Sequence, residues 1–272
     1  MLTDSTGHLP PAGSRDDLKK VAVEAARRGG AIVQEKARQG FRVEHKDVVN
    51  LVTDADRLAE QAIVDTIRSA YPDHRILSEE CGQHVAGTSL FQWVIDPLDG
   101  TTNFAHGFPS YCVSIGLEYH GRCILGVVFD PTRQELFVAD IHRGAVLNGV
   151  PLHVSSAASL NAALLVTGFA YDIRESPNNN LNHFSRFALR AQGLRRTGAA
   201  ALDLCYVAAG RFDGFWELKL QAWDMAAGVV IVQEAGGRVS DFSGGPFSIY
   251  GKELVASNGR LHDEMLAVLR QG

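Results

Sequence analysis

The chain has 272 residues, of which 46% are hydrophobic and 21% charged, with 27 glycines and 9 prolines, and this composition excludes a disordered or fibrous protein. Its formal net charge of −5, with both signs interspersed, leaves no basic footprint for nucleic acid, and no apolar run reaches the ~18 residues of a membrane span. The length allows one large α/β unit or two fused subdomains.

Residues 1–14, rich in Thr, Ser, Gly and Pro and without periodicity, read as a flexible tail. Asp4 and Pro10-Pro11-Ala12-Gly13 stand where a signal peptide would have a basic and then an apolar region. The cysteines Cys81, Cys112, Cys123 and Cys205 form no CxxC pair, so neither zinc nor a disulfide framework is expected, and a reducing cytoplasm is. Leu18, Val21, Ala22, Ala25, Ile32 and Val33 recur at helical spacing, opposite Arg27, Arg28, Glu35 and Lys36. A second helix is expected from Asp54 to Ala70, with Leu58, Ala62, Ile63 and Ile67 as its buried face and Pro72 just past its end.

From Arg75 to about Val154 short apolar runs are bounded by turn residues: Ile76-Leu77, Trp93 to Ile95, Val113 to Ile115, Ile124 to Phe129 and Leu136 to Val138. Gly121 and Asn148-Gly149 are hairpin signals, so this half is strand-rich with antiparallel neighbours. After Leu160 strands near 164–166 and 194–196 alternate with helices near 181–191 and 199–209, an α/β rhythm. The expected division is therefore a tail (1–14), an α+β subdomain (15–154) and an α/β subdomain (155–272), with a boundary near 150–160.

The richest stretch is Trp93 to Phe104. An apolar strand delivers Asp96, Pro97 is expected to stop its ladder, and Asp99 follows in a turn ending at Gly100. Two buried carboxylates at one turn call for a cation, and hard oxygen ligands suit Mg²⁺. Gly100, Thr101 and Thr102 then offer N–H groups to a phosphate. The plain alternative is an Asx-turn at Asp99 with Asp96 paired to an arginine. Ser78-Glu79-Glu80 ends another apolar run, and alternation along a strand sends one glutamate towards a site and the other to solvent. Thr53 to Asp56 reads locally as a capping box. Glu217 and Asp224 lie around a helix start, where Asp224 alone would read as an N-cap. HExxH, Gly-x-Ser-x-Gly and a Gly-rich Lys-Ser/Thr loop are all absent.

In order, Val52 to Asp56 with Glu60, Ser78 to Glu80, Trp93 to Phe104, and Trp223-Asp224 with Gly228 and Glu234 to Gly237 resemble the successive motifs of the inositol monophosphatase family. That family sits within the magnesium-dependent, lithium-sensitive sugar phosphatases, and the resemblance runs from about residue 17 to the end. It implies an α-β-α-β-α layered sandwich, a homodimer and two or three Mg²⁺ ions. Carried over motif by motif, Glu79, Asp96 and the Leu98 carbonyl hold one metal, and Asp96, Asp99 and Asp224 a second, with Glu79 bordering a third. Thr101, oriented by Asp56, positions the attacking water. The N–H groups of Gly100 and Thr101 bind phosphate beside Asp96, Leu98, Asp99 and Asp224, while Gly198, Ala199, Ala200 and Glu217 border the organic part. Asn50 stands where many relatives carry Asp.

The implied reaction is hydrolysis of myo-inositol monophosphate through a metal-activated water, one metal activating water and the other stabilising the leaving oxygen. Thr167 to Asp172 departs from the animal inositol enzymes, so histidinol phosphate, fructose bisphosphate and phosphoadenosine phosphate are alternative substrates. An idle family member serving as a binding or regulatory protein is the alternative of another class. The intact set Asp56, Glu79, Asp96, Asp99, Thr101 and Asp224 argues against it, since clustered charges are costly to keep without a use.

Overall fold

In the computed structural model, Ala55, Ala59, Ile63 and Ile67 form the buried stripe of a helix; Leu58, expected on that stripe, is exposed. Burying each isoleucine stabilises the helix on its sheet by about 1.5–3 kcal/mol. The structure describes residues 9–45, 51–84 and 89–271. Asn50 and residues 1–8 of the expected tail lie outside them. Residues 12–14 belong to the first helix and not to a tail.

The helices are α1 (Ala12–Gln39), α2 (Asp54–Ala70), α3 (Thr101–Ala105), α4 (Leu181–Ala188), α5 (Ala200–Ala208), α6 (Ala222–Glu234) and α7 (His262–Leu269). A short antiparallel pair joins β1 (Val43–His45) to β2 (Leu51–Thr53). The larger sheet contains β3 (Arg75–Ser78), β4 (Gly82–His84), β5 (Phe91–Asp99), β6 (Cys112–Tyr119), β7 (Arg122–Asp130), β8 (Glu135–Asp140), β9 (Ala145–Leu147) and β10 (Val150–Pro151). Its order is β10-β9-β8-β7-β6-β5-β3-β4, antiparallel except for β3 beside β5. Gly121 makes the β6–β7 turn with a φ of 73°, and Asn148-Gly149 the β9–β10 turn, as hairpin signals require.

A second sheet has the order β12-β11-β13-β15-β14, from β11 (Leu164–Thr167), β12 (Gly193–Arg195), β13 (Gly214–Leu218), β14 (Arg238–Ser240) and β15 (Glu253–Ser257). Its β12, β11 and β13 are parallel, the outcome of helical crossovers. Helices α1 and α2 pack on the outer face of the first sheet, with Ala22, Ile63, Trp93 and Ile115 in one core. Helices α5 and α6 fill the space between the sheets, where Leu204 and Ile231 meet Val128 on one side and Phe215 on the other. Helices α4 and α7 cover the far face through Phe187, Trp216 and Met265. The layers therefore run α-β-α-β-α.

Helices α5 and α6 are apolar over most of their surface because both of their faces are covered. Helix α6 lies backbone to backbone on the first sheet. A methyl added at Gly126 would fall 2.3 Å from the Ala227 carbonyl oxygen, and one at Gly116 2.5 Å from the Ala226 Cβ. Among the described residues no helix is long and apolar enough to cross a membrane.

Candidate active site

Strand β5 buries Trp93, Val94 and Ile95 completely and carries Asp96 and Asp99 at its C-terminal end. Contrary to the sequence expectation, Pro97 does not stop the strand. The register shifts between Asp96 and Asp99, and the ladder resumes with Asp99 opposite Cys112; within such a bulge a proline withholds no needed N–H. Gly100 then turns the chain into α3 at a φ of 92°, and a Cβ there would lie 2.9 Å from the Ser110 carbonyl oxygen, so only glycine suits the corner.

The capping box at α2 is present, with Asp56 Oδ2 accepting from the Thr53 N–H at 2.7 Å. The box also reaches further. Asp56 Oδ1 lies 3.0 Å from Thr101 Oγ1, which is 2.9 Å from the Leu98 carbonyl oxygen. Asp56 is therefore both a helix cap and the buried partner of a hydroxyl on another element. Strand β3 ends at Ser78, so Glu79 and Glu80 follow the strand and do not alternate along it. The Glu79 N–H donates to the Ile95 carbonyl at 3.2 Å, while the Glu80 N–H donates to Glu60 Oε2 at 3.0 Å.

Two further acids differ from their sequence reading. Glu217 sits in β13 and not at a helix start, and its carboxylate rests on Gly168, where a Cβ would fall 2.3 Å from either oxygen. Asp224 is the third residue of α6 and not its N-cap; its Oδ2 accepts from the Gln221 N–H at 2.7 Å.

These elements converge on a cavity of about 520 Å³. Asp96, Leu98 and Asp99 line it from β5 and Glu79 from just past β3, with Gly100 and Thr101 at the head of α3. Gly198, Ala199, Ala200, Glu217 and Asp224 line it from the second half of the chain. Asp56 stands behind Thr101. Tyr171 lines it from the segment Thr167 to Asp172 that the sequence ties to substrate choice, whereas sequence reading missed Arg196, Asp203 and Lys219, which also line the cavity. Asp203 had a signal in the sequence, a lone acid within the apolar run of α5; Lys219 had none, since its place follows from a left-handed backbone (φ 64°) after β13.

The carboxylates oppose one another. Burial, then the charges of Glu79, Asp99 and Asp224, hold the Asp96 carboxyl well above the usual range. Burial followed by the Asp99 charge does the same to Asp224. Burial pushes Asp99 up to about 6, against the main-chain N–H groups of Ala201 and Ala200 that pull it down. Glu217 is raised by burial and then by Asp203. Such acids resist holding charge together without a cation, and a set of carboxylates with a main-chain carbonyl is the donor chemistry of a hard divalent ion. They line the cavity as separate groups: among the described residues no three His, Cys, Asp or Glu side chains gather on one point.

A family model described as "Inositol monophosphatase family" matches residues 14–272. The chain belongs to the inositol monophosphatase family. It is a phosphatase, a phosphoric monoester hydrolase, in a family that uses metal ions. The chain is 46% identical to an inositol-1-monophosphatase of Synechocystis sp., over 97% of this chain and 93% of the relative. It is 47% identical to a protein called Nus factor SuhB in Pseudomonas aeruginosa, over 93% and 96%. A solved inositol monophosphatase from Anabaena (Nostoc) sp. matches at 41% identity with a TM-score of 0.88, covering 95% of this chain and 97% of that one. This inositol monophosphatase family member thus shares both length and layering with its relatives.

Proposed function

We propose that the chain hydrolyses myo-inositol monophosphate to inositol and phosphate, with Mg²⁺ as its cofactor. The observation that carries the reading is that Asp96, Asp99, Glu79, Asp224 and Glu217 all line one cavity, beside the Thr101–Asp56 pair. Glu79, Asp96 and the Leu98 carbonyl would hold one ion, Asp96, Asp99 and Asp224 a second, with Glu79 at the edge of a third. Bound there, the ions would lower the pKa of water and offset charge on the leaving oxygen.

The protein's own groups do the positioning. Asp56, with Oδ2 engaged by Thr53, keeps Oδ1 as an acceptor for the Thr101 hydroxyl. The Thr101 oxygen then presents lone pairs to a water in line with the ester bond. The N–H groups of Gly100 and Thr101 take the phosphate oxygens. Gly198, Ala199 and Ala200 border the organic part, and Glu217 accepts from a substrate hydroxyl. The nucleophile is water and not an aspartate, because Asp96 and Asp99 are committed as ligands. The proposal includes a cytoplasmic homodimer, which sedimentation would test.

The decisive experiment is a hydrolysis panel of inositol, histidinol, fructose and nucleotide phosphates, with and without Mg²⁺, on wild type and Asp96→Asn. Hydrolysis of inositol monophosphate that requires Mg²⁺ and vanishes in the variant is expected. Preference for histidinol phosphate or fructose bisphosphate would replace the substrate; turnover in excess chelator would remove the metal. The name Nus factor SuhB among relatives favours a second reading, a binding or regulatory role. A folded wild type inert on the whole panel would favour it.

A further inference from the structure

The segment 168–180 runs between β11 and α4, and its first residues, 168–172, line the cavity in a part that the reaction leaves unused. Its base is fixed by Asn180, buried despite a left-handed backbone: the Asn180 amide donates to Thr167 Oγ1 at 2.9 Å and to the Gly168 carbonyl at 2.8 Å, and accepts from Trp216 Nε1 at 2.8 Å. Its crest is fixed from the end of the neighbouring strand β13. Lys219 Nζ pairs with Asp172 Oδ2 at 2.5 Å and with Ser176 Oγ at 2.8 Å. Lys219 is itself held by its N–H on the Lys252 carbonyl at 2.7 Å, in a left-handed conformation that an unbranched lysine would not adopt without cause. Both partners line the cavity, and the ion pair ties the segment after β11 to the end of its neighbour β13.

Between base and crest the clasp presents Tyr171. The ring lines the cavity yet is 53% exposed, and its phenol lies within the field of Glu79, Asp224, Asp99 and Asp96. The cavity thus has an aromatic ring in its lining together with the carboxylates, and Glu217 and Asp203 line it as well. A flat apolar ring face and carboxylate acceptors together match a cyclic polyol, whose C–H face lies on the aromatic ring while its edge hydroxyls donate to the acids. An acyclic ester offers no such face.

Resting on the phosphatase reading above, we propose that Tyr171, held by the Asp172–Lys219 clasp, is the specificity-determining residue that selects cyclic polyol phosphates over acyclic ones. The exposed ion pair adds little to stability; its part is to fix where the ring stands.

The test compares kcat/KM for inositol monophosphate with that for glycerol 2-phosphate in the Mg²⁺-loaded full chain. Tyr171→Ala is expected to lower the cyclic-to-acyclic ratio by about tenfold, mostly through KM, as loss of one apolar contact does. Tyr171→Phe, which keeps the ring, is expected to hold the ratio, and Lys219→Met to lower it part of the way. An unchanged ratio in Tyr171→Ala, or a Tyr171→Phe that behaves like alanine, overturns the inference; an unchanged ratio in Lys219→Met overturns the clasp. Calorimetric binding of the same two esters with Ca²⁺ in place of Mg²⁺ gives the ratio without turnover. A wild type that hydrolyses nothing therefore sinks the phosphatase reading, while the binding ratio still decides Tyr171.

Discussion

A hydrogen on Gly168 is all that separates the backbone from the Glu217 carboxylate. Gly168→Ala should therefore push Glu217 off its seat, raising KM for inositol monophosphate by about tenfold while the Mg²⁺ requirement stays as it was; steady-state kinetics at several Mg²⁺ concentrations check this. Thr101→Ala should cut kcat by at least about a hundredfold with KM nearly kept, since that hydroxyl matters as attack develops. His262 makes a separate case, away from the cavity. It is buried between Ser240 Oγ at 2.8 Å and Ser257 Oγ at 2.9 Å, and burial pushes its imidazole from 6.5 down to about 4. The unfolded chain then binds a proton that the folded one refuses, so its contribution to stability is whole above pH 6.5 and is lost as pH falls towards 4. His262→Gln should flatten the melting temperature's decline across that window, as pH-dependent calorimetry would record. Asp96 and Asp99 were legible in the sequence because a proline and a glycine frame them. Lys219 was not, because its pairing with Asp172 joins segments distant in sequence.

Helix α6 holds Asp224 against the first sheet through two glycines, and its position has no slack. Gly126→Ala sets a methyl 2.3 Å from a main-chain oxygen that cannot rotate away. The substitution should cost at least about 2 kcal/mol of stability and weaken Mg²⁺ binding by moving Asp224, both readable from denaturant melts with and without the ion. Much at this scale was legible in the sequence. The bounds Asp54 to Ala70 of α2 follow from Thr53 at one end and Pro72 past the other. The hairpins at Gly121 and Asn148-Gly149 follow from turn chemistry. What escaped was the end of β5, because a bulge lets a strand pass through Pro97, and the strand nature of Glu217, since the short run Gly214 to Leu218 has no alternation when both faces are covered. We propose the subdomain division near residues 150–160 on the ground that the two sheets share no strand.

The cavity belongs to neither sheet alone. Asp96 and Asp99 come from the first, Glu217 from the second, and Asp224 from the helix between them, so the whole chain must be folded for the acids to meet. The family signature was readable because these residues lie in short motifs; their convergence was not, since it depends on the layering. The backbone contact of α6 with Gly116 and Gly126 acts as a spacer whose thickness is set by main-chain atoms and not by compressible side chains. Gentle heating, which loosens side chains first, would leave that gap unchanged. Catalysis should then persist almost undiminished up to the global transition and vanish with it, so that residual activity and ellipticity, followed against temperature, trace one curve; an activity loss well ahead of unfolding would mean that the spacer yields first.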